Sequence, residues 1–250
     1  MKFILGKKMN MTQRFNDAGV VPVTVVTAGP CTVTYVKGGK DGYRAIQVGF
    51  DETKKKITKS LAGHLKGLSH FKLLREFRTD AEAKRGQRLS VGMFRPGDLV
   101  QVTGVSKGKG FQGVVKRHHF SGSPKTHGHK DQHRMPGSIG ATEPKHVFRG
   151  TRMGGHMGAD TVTVKNLEVI EVDEAKNLLY IKGAVPGARN AMLAIAGEGE
   201  PVFVDPASLA IAATTESPVT IETPEMPATG GENTETQEQA QQTDHEEEKK

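Results

Sequence analysis

No tryptophan and only one cysteine, Cys31, occur among the 250 residues of this chain, and the three aromatic residue types together make up 5% of it. A single thiol excludes an internal disulfide framework and any multi-cysteine zinc site; its usual place is as a small buried hydrophobe in a reducing compartment. So few aromatics leave little material for a deep apolar ligand pocket. Long apolar runs are missing as well, and no stretch approaches the roughly 20 residues of a membrane-spanning helix. The opening MKFILGKKMNMTQRF has only Phe3, Ile4 and Leu5 in an apolar run before further lysines, too short for the core of a signal peptide. A soluble, cytoplasmic protein is expected.

Acidic side chains are scarce over most of the chain and crowded into one part of it. Residues 213–250 hold ten acids and two bases, a net of −8; against +7 for the whole chain, that leaves +15 on residues 1–212. A body with that excess repels itself, and the usual partner that relieves the repulsion is a polyanion, most often nucleic acid. The acidic stretch is rich in Thr, Glu, Gln and Pro and almost free of large apolar side chains. It cannot build a core and is expected to be a disordered tail.

What is present in the basic part is mostly strand chemistry. VPVTVVT (21–27), TVTYVK (32–37) and YRAIQVGF (43–50) are β-branched runs of period two, separated by AGP and GGKDG, and predict a meander of strands. Residues 51–78 turn polar and then hold a helix-compatible piece around Ser60 to Leu68, weakened by Gly63 and Gly67, so a small, partly helical insertion is expected. Strand signals return in LVQVTGV (99–105), after the turn residues Arg95, Pro96, Gly97 and Asp98. They recur in TVTVKNLEVIEV (161–172) and NLLYIKGAV (177–185), which a short DEAK connection joins as a hairpin. Many short strands without strand-helix alternation predict a mainly β fold, a closed or nearly closed barrel.

Between these strands, residues 121–158 show no periodicity; they hold eight Gly, five His, six Lys or Arg and two acids, with isolated Met135, Ile139, Val147, Phe148, Met153 and Met157. A connection this long inside a compact body is normally functional. Its backbone groups need partners, and RNA supplies them: phosphates accept from amides, Lys and Arg, glycine permits close approach, and histidine stacks on exposed bases. Immediately before it, SKGKGFQGVVKRHHF (106–120) carries more cations and a GxGxxG at Gly108, Gly110 and Gly113. A dinucleotide fingerprint needs a helix to open there, whereas FQGVVKRHHF reads as strand; a sharp basic turn at a strand end, with no cofactor, is expected.

Within the arm, HGHKDQHRMPGSIG spaces His127, His129, Asp131 and His133 as H-x-H-x-D-x-H, which invites a zinc-hydrolase reading. The metallo-hydrolase pattern of the β-lactamase type resembles H-x-H-x-D-H, and Gln132 displaces the third histidine here. The neighbouring cations repel a dication, and the carboxylates that would orient the imidazoles are missing. No metal site is expected. A general DNA-binding architectural protein shares the charge but does not account for the glycine pattern of the arm.

Taken in order, ILGKKMNMTQRF, VPVTVVTAGPCTVTYVK, DGYRAIQVGF, VTGVSKGKGFQGVVKRHHF, THGHKDQHRMPGSIG, VFRGTRMGGHMG, VTVKNLEVI and NLLYIKGAVPGARN resemble the bacterial-type large-subunit ribosomal protein L-three family, over nearly all of residues 1 to about 200. The resemblance implies a six-stranded β-barrel of the translation-protein type from residues 1–30 and 97–212, an α+β insertion at 31–96, and an extended RNA-binding loop at 121–158. The tail at 213–250 stands outside the family core. Function is implied as a structural, non-enzymatic constituent of the large ribosomal subunit, acting early in its assembly and supporting the peptidyl transferase centre.

Partners implied by the resemblance are large-subunit (23S) rRNA and the neighbouring proteins L-fourteen, L-nineteen, L-seventeen and L-thirteen, with no membrane and no small-molecule substrate. The rRNA contacts it implies are Lys7, Lys8, Lys107, Lys109, Lys116, Arg117, His118, His119, Lys125, His127, His129, Lys130, His133, Arg134, Lys145, Arg149, Arg152 and His156. Pro136, Gly137, Ser138, Ile139, Gly140 and Ala141 form the arm tip near the peptidyl transferase centre. Ala141 stands where some members carry a glutamine that is methylated, so that modification is excluded here.

Overall fold

The computed structural model describes residues 1–16 and 19–205. In chain order the strands and helices are β1 (Lys2–Asn16), β2 (Gly19–Ala28), β3 (Cys31–Lys37), β4 (Ala45–Glu52), α1 (Lys59–His64), β5 (Phe71–Arg78), β6 (Arg88–Leu89), β7 (Leu99–Val105), β8 (Gly110–Gln112), α2 (Val114–His118), β9 (Gly155–Met157), β10 (Thr161–Asp173), β11 (Leu178–Lys182), β12 (Met192–Gly197) and β13 (Phe203–Val204). The disorder expected for 213–250 lies outside the described residues, as does the end of the expected barrel boundary at 206–212.

Six strands pair in a closed ring, β1-β12-β7-β10-β11-β2, all antiparallel. Closure removes the open edges that a flat sheet of these β-branched runs would present. The hairpin expected from the DEAK connection forms as β10 against β11, with Asp173 opposite Leu178. A second sheet runs β13-β6-β3-β4-β5. The expected single meander is therefore split: β2 belongs to the ring and β3 to the second sheet. The link between them is only two residues, Gly29 and Pro30, and Gly29 at φ +73° turns the chain between the two sheets. Residues 203–204, expected within the barrel, pair with β6 instead.

One hydrophobic core joins the two sheets. It takes Phe3, Leu5, Val26, Val102 and Ile195 from the ring and Val33, Ile46, Val48, Phe77 and Leu89 from the second sheet. Residues 2–6 of β1 are buried on both faces because the ring interior lies on one side and the second sheet on the other. That is why KFILG lacks a strand's alternation. Cys31 lies in this core with no exposure, and burial pushes its thiol up to about 12, a hydrogen bond with Leu5 opposing the rise only in part. It is the inert hydrophobe that its solitude implied.

Where β1 enters the ring, the Lys2 ammonium is bound to the Asp98 carboxylate, which also accepts from the backbone N–H of Arg95 at 2.6 Å. Partial burial alone would raise the Asp98 carboxyl, but the hydrogen bonds from Lys2 and Arg95 outweigh it and hold the group below its ordinary value. A depressed carboxylate contributes stability above its unfolded-state pKa, and that contribution is lost as pH falls through the folded-state value. Asp98→Asn should therefore lower stability at neutral pH and flatten the loss of stability below about pH 4. Urea unfolding at several pH values checks this; parallel pH curves for the two proteins would contradict it.

Candidate nucleic-acid interface

Where the ring opens at the end of β7 opposite the start of β10, the two chains leave it side by side. Thr161 pairs with Val105, Ser106 N donates to Asp160 O at 2.9 Å, Asp160 N donates to Ser106 Oγ at 3.2 Å, and Lys109 N donates to Met157 O at 2.8 Å. The ladder continues as β8 against β9, with Phe111 opposite His156. The arm is thus rooted as an outgrowth of a barrel hairpin, which fixes its direction of departure. Gly158 makes that root possible: it is buried at φ +79°, and a Cβ there would lie 2.3 Å from Lys107 O. Gly158→Ala should destabilise the protein by about 1–3 kcal/mol through strain and overpacking. Amide exchange should show the loss concentrated at 106–112 and 155–160, and uniform protection there would refute the point.

After β8 the structure departs from expectation. FQGVVKRHHF was read as strand, but Val114–His118 form one helical turn, α2, opened by an extended Gly113. The β-branched pair Val114-Val115 favours a strand locally; burying Val114, 3% exposed, overrides it. Arg117 Nη1 donates to Met153 O at 2.8 Å, and His118 Nε2 lies 3.1 Å from the same carbonyl, tying α2 to the returning chain. The helix does not revive the dinucleotide fingerprint, because β8 is one strand of a two-stranded antiparallel ribbon and not of a parallel sheet.

From 119 to 154 the chain forms neither helix nor strand, and nearly every residue is exposed. Besides short-range turn bonds, its internal ties sit at a neck: Ser123 N donates to His133 O at 2.9 Å, and His133 Nδ1 lies 3.1 Å from Pro124 O. Beyond the neck, Met135, Ile139 and Phe148 are 54%, 45% and 63% exposed, and the one ring contact of Phe148 among the described residues is with the edge of the His146 ring at 5.8 Å. Apolar side chains held out on such a chain are surfaces awaiting a partner.

The expected contact residues fall into two groups. Lys107, Lys109, Lys116, His119, Lys125, His127, His129, Lys130, Arg134, Lys145, Arg149, Arg152 and His156 are exposed, as is the tip from Pro136 to Ala141. Lys7, Lys8, Arg117, His118 and His133 are half-buried. Lys8 is engaged within the protein, its ammonium donating to Val185 O at 2.8 Å and Gly187 O at 3.3 Å. Burial lowers its pKa, and the nearby Lys107 charge lowers it further.

Among the described residues, the arm's one ion pair is Lys145 with Glu143, 3.5 Å apart and about three-quarters exposed on both sides, a weak attachment. No three His, Cys, Asp or Glu side chains come together among the described residues, so His127, His129, Asp131 and His133 do not converge. A cationic cluster not singled out from sequence is exposed beside α1, with Lys54, Lys55, Lys56 and Lys59; the run KKK was its signal.

A family model described as ribosomal protein L3 matches residues 75–179, which span the arm and its root. The chain is 48% identical over 202 residues to the large ribosomal subunit protein uL3 of Dehalococcoides mccartyi, covering 98% of that protein and 79% of this chain. It is similarly 48% identical over 199 residues to uL3 of Herpetosiphon aurantiacus, covering 94% of it and 77% of this chain, and 49% identical over 204 residues to uL3 of Chlorobium phaeovibrioides, covering 98% and 78%. The chain belongs to the ribosomal protein L3 family. In this L3-family chain the relatives are matched almost end to end. About a fifth of the chain has no counterpart in them.

Proposed function

We propose that this protein is a structural constituent of the large ribosomal subunit in the cytoplasm and not an enzyme, and that its arm binds large-subunit rRNA. The observation that carries this reading is the arm itself. It is a long exposed segment whose cations, Lys145 apart, have no ion pair among the described residues and whose apolar side chains are exposed, in a chain whose relatives are named large-subunit proteins. Phosphates and splayed bases offer what the arm lacks.

On this reading the closed ring, whose strands come from residues 1–30 and 97–197, is a translation-protein-type barrel, and 31–96 is the insertion. The exposed cations are phosphate contacts, and His127, His129, His133 and His156 stack on bases or hydrogen-bond to them. The turn from Pro136 to Ala141 reaches toward the peptidyl transferase centre, with L-fourteen, L-nineteen, L-seventeen and L-thirteen as neighbours. Binding early in assembly orders the arm and pins the RNA helices around it; the RNA supplies the chemistry. The test is sedimentation: the protein should travel with large subunits through a moderate-salt wash, and its recovery at the top of the gradient would defeat the reading.

A further inference from the structure

We propose that residues 206–250 serve as an internal stand-in for RNA, their acidic side chains docking on the arm and its root at 106–158 until rRNA displaces them. The inference rests on the RNA-binding reading of the arm. Its first support is charge. Residues 106–158 carry ten Lys or Arg and two acids, a net of +8, and residues 206–250 carry a net of −8. The second is structural: Lys107, Lys109, Lys116, Lys125, Lys130, Arg134, Arg149 and Arg152 have no ion pair among the described residues.

The cluster beside α1 is the rival docking surface, and it is weaker. Residues 51–72 hold six cations but two acids, a net of +4, and Asp51 is paired with Lys72 at 3.5 Å. Reach does not discriminate, since a chain of this length spans up to roughly 150 Å when extended. Tethering supplies the rest: a linked segment competes at an effective concentration on the order of millimolar, which repeated weak ion pairs can exploit. The 98% and 79% coverages leave unmatched a share of this chain similar in size to residues 206–250, so the device would be this chain's own addition to the family body.

The test uses the full chain without RNA at low salt, prepared as a mixture of isotopically light and heavy copies, with a carbodiimide joining carboxylates directly to lysines. Links within one copy should run from Glu and Asp of 216–248 to Lys107, Lys109, Lys116, Lys125, Lys130 and Lys145, and should vanish on adding an rRNA fragment. Links that are absent, that fall on Lys54 to Lys59, or that join only different copies would overturn the proposal.

A full-length variant with those ten acids changed to their amides should bind the fragment roughly tenfold tighter at low salt, as expected if the arm is about nine-tenths occupied. The gap should close at moderate salt. Unchanged affinity would remove the competition; a variant that binds no RNA would instead sink the RNA-binding reading of the arm.

Discussion

Binding of the protein to an rRNA fragment should weaken by roughly a thousandfold or more between about 50 and 200 mM salt, on the duplex estimate for six to ten neutralised phosphates. The number follows from counting. Residues 106–158 hold ten Lys and Arg, of which Arg117 is partly engaged by Met153 O, so most remain for phosphate. Changing Lys125, Lys130, Arg149 and Arg152 together to glutamine should lower the slope of log affinity against log salt by about 3–4, each cation accounting for roughly 0.7–0.9. These four side chains are exposed and make no ion pair among the described residues, so the fold should be unaffected. Lys8→Gln should leave the slope unchanged, because the Lys8 ammonium is committed to Val185 O and Gly187 O. A flat salt dependence, or a slope that ignores the quadruple change, would show that the arm does not hold the RNA.

Phe3→Ala should cost about 3–5 kcal/mol, a large part of the roughly 5–15 kcal/mol that holds an ordinary domain together. Phe3 has no exposure and stacks on Phe77 with ring centroids 4.5 Å apart and planes 17° from parallel, so one side chain joins the ring to the second sheet. Truncation loses the buried area and leaves a cavity between two sheets whose backbones are tied by their own ladders and cannot close over it. The contrast is Phe15→Ala on the same strand. Phe15 is 75% exposed, and its loss should change stability by less than about 0.5 kcal/mol. Denaturant midpoints measured at constant slope would compare the two directly, and equal costs would mean that the two sheets do not share a core.

The strands that could be read in advance are those rich in β-branched side chains and bounded by turn residues. VPVTVVT, TVTYVK, YRAIQVGF, LVQVTGV, TVTVKNLEVIEV and NLLYIKGAV fall on β2, β3, β4, β7, β10 and β11, where alternation or β-branched content survives. Of the strands longer than three residues, three were not picked out. β1 and β12 open with or consist of continuous apolar runs, KFILG and MLAIAG, because both faces meet protein. β5, FKLLREFR, buries only Phe71 and Phe77, which share one face of the strand, while charged Arg75 and apolar Leu74 break the alternation between them. The helical turn of α2 was missed because the β-branched pair Val114-Val115 reads locally as strand, whereas Val114 is buried in the folded chain.

Composition and local pattern were enough for the β character, the basic body, the inert cysteine and the cationic arm, since each depends on residues near one another in the chain. Contacts between distant segments decided the rest. Lys8 meets Val185 177 positions away, and Arg117 meets Met153 36 positions away, so which cations remain free for a ligand follows from how the ring closes and the arm returns. Hydrogen bonding to a remote partner depends on position in space, and linear order carries no record of it.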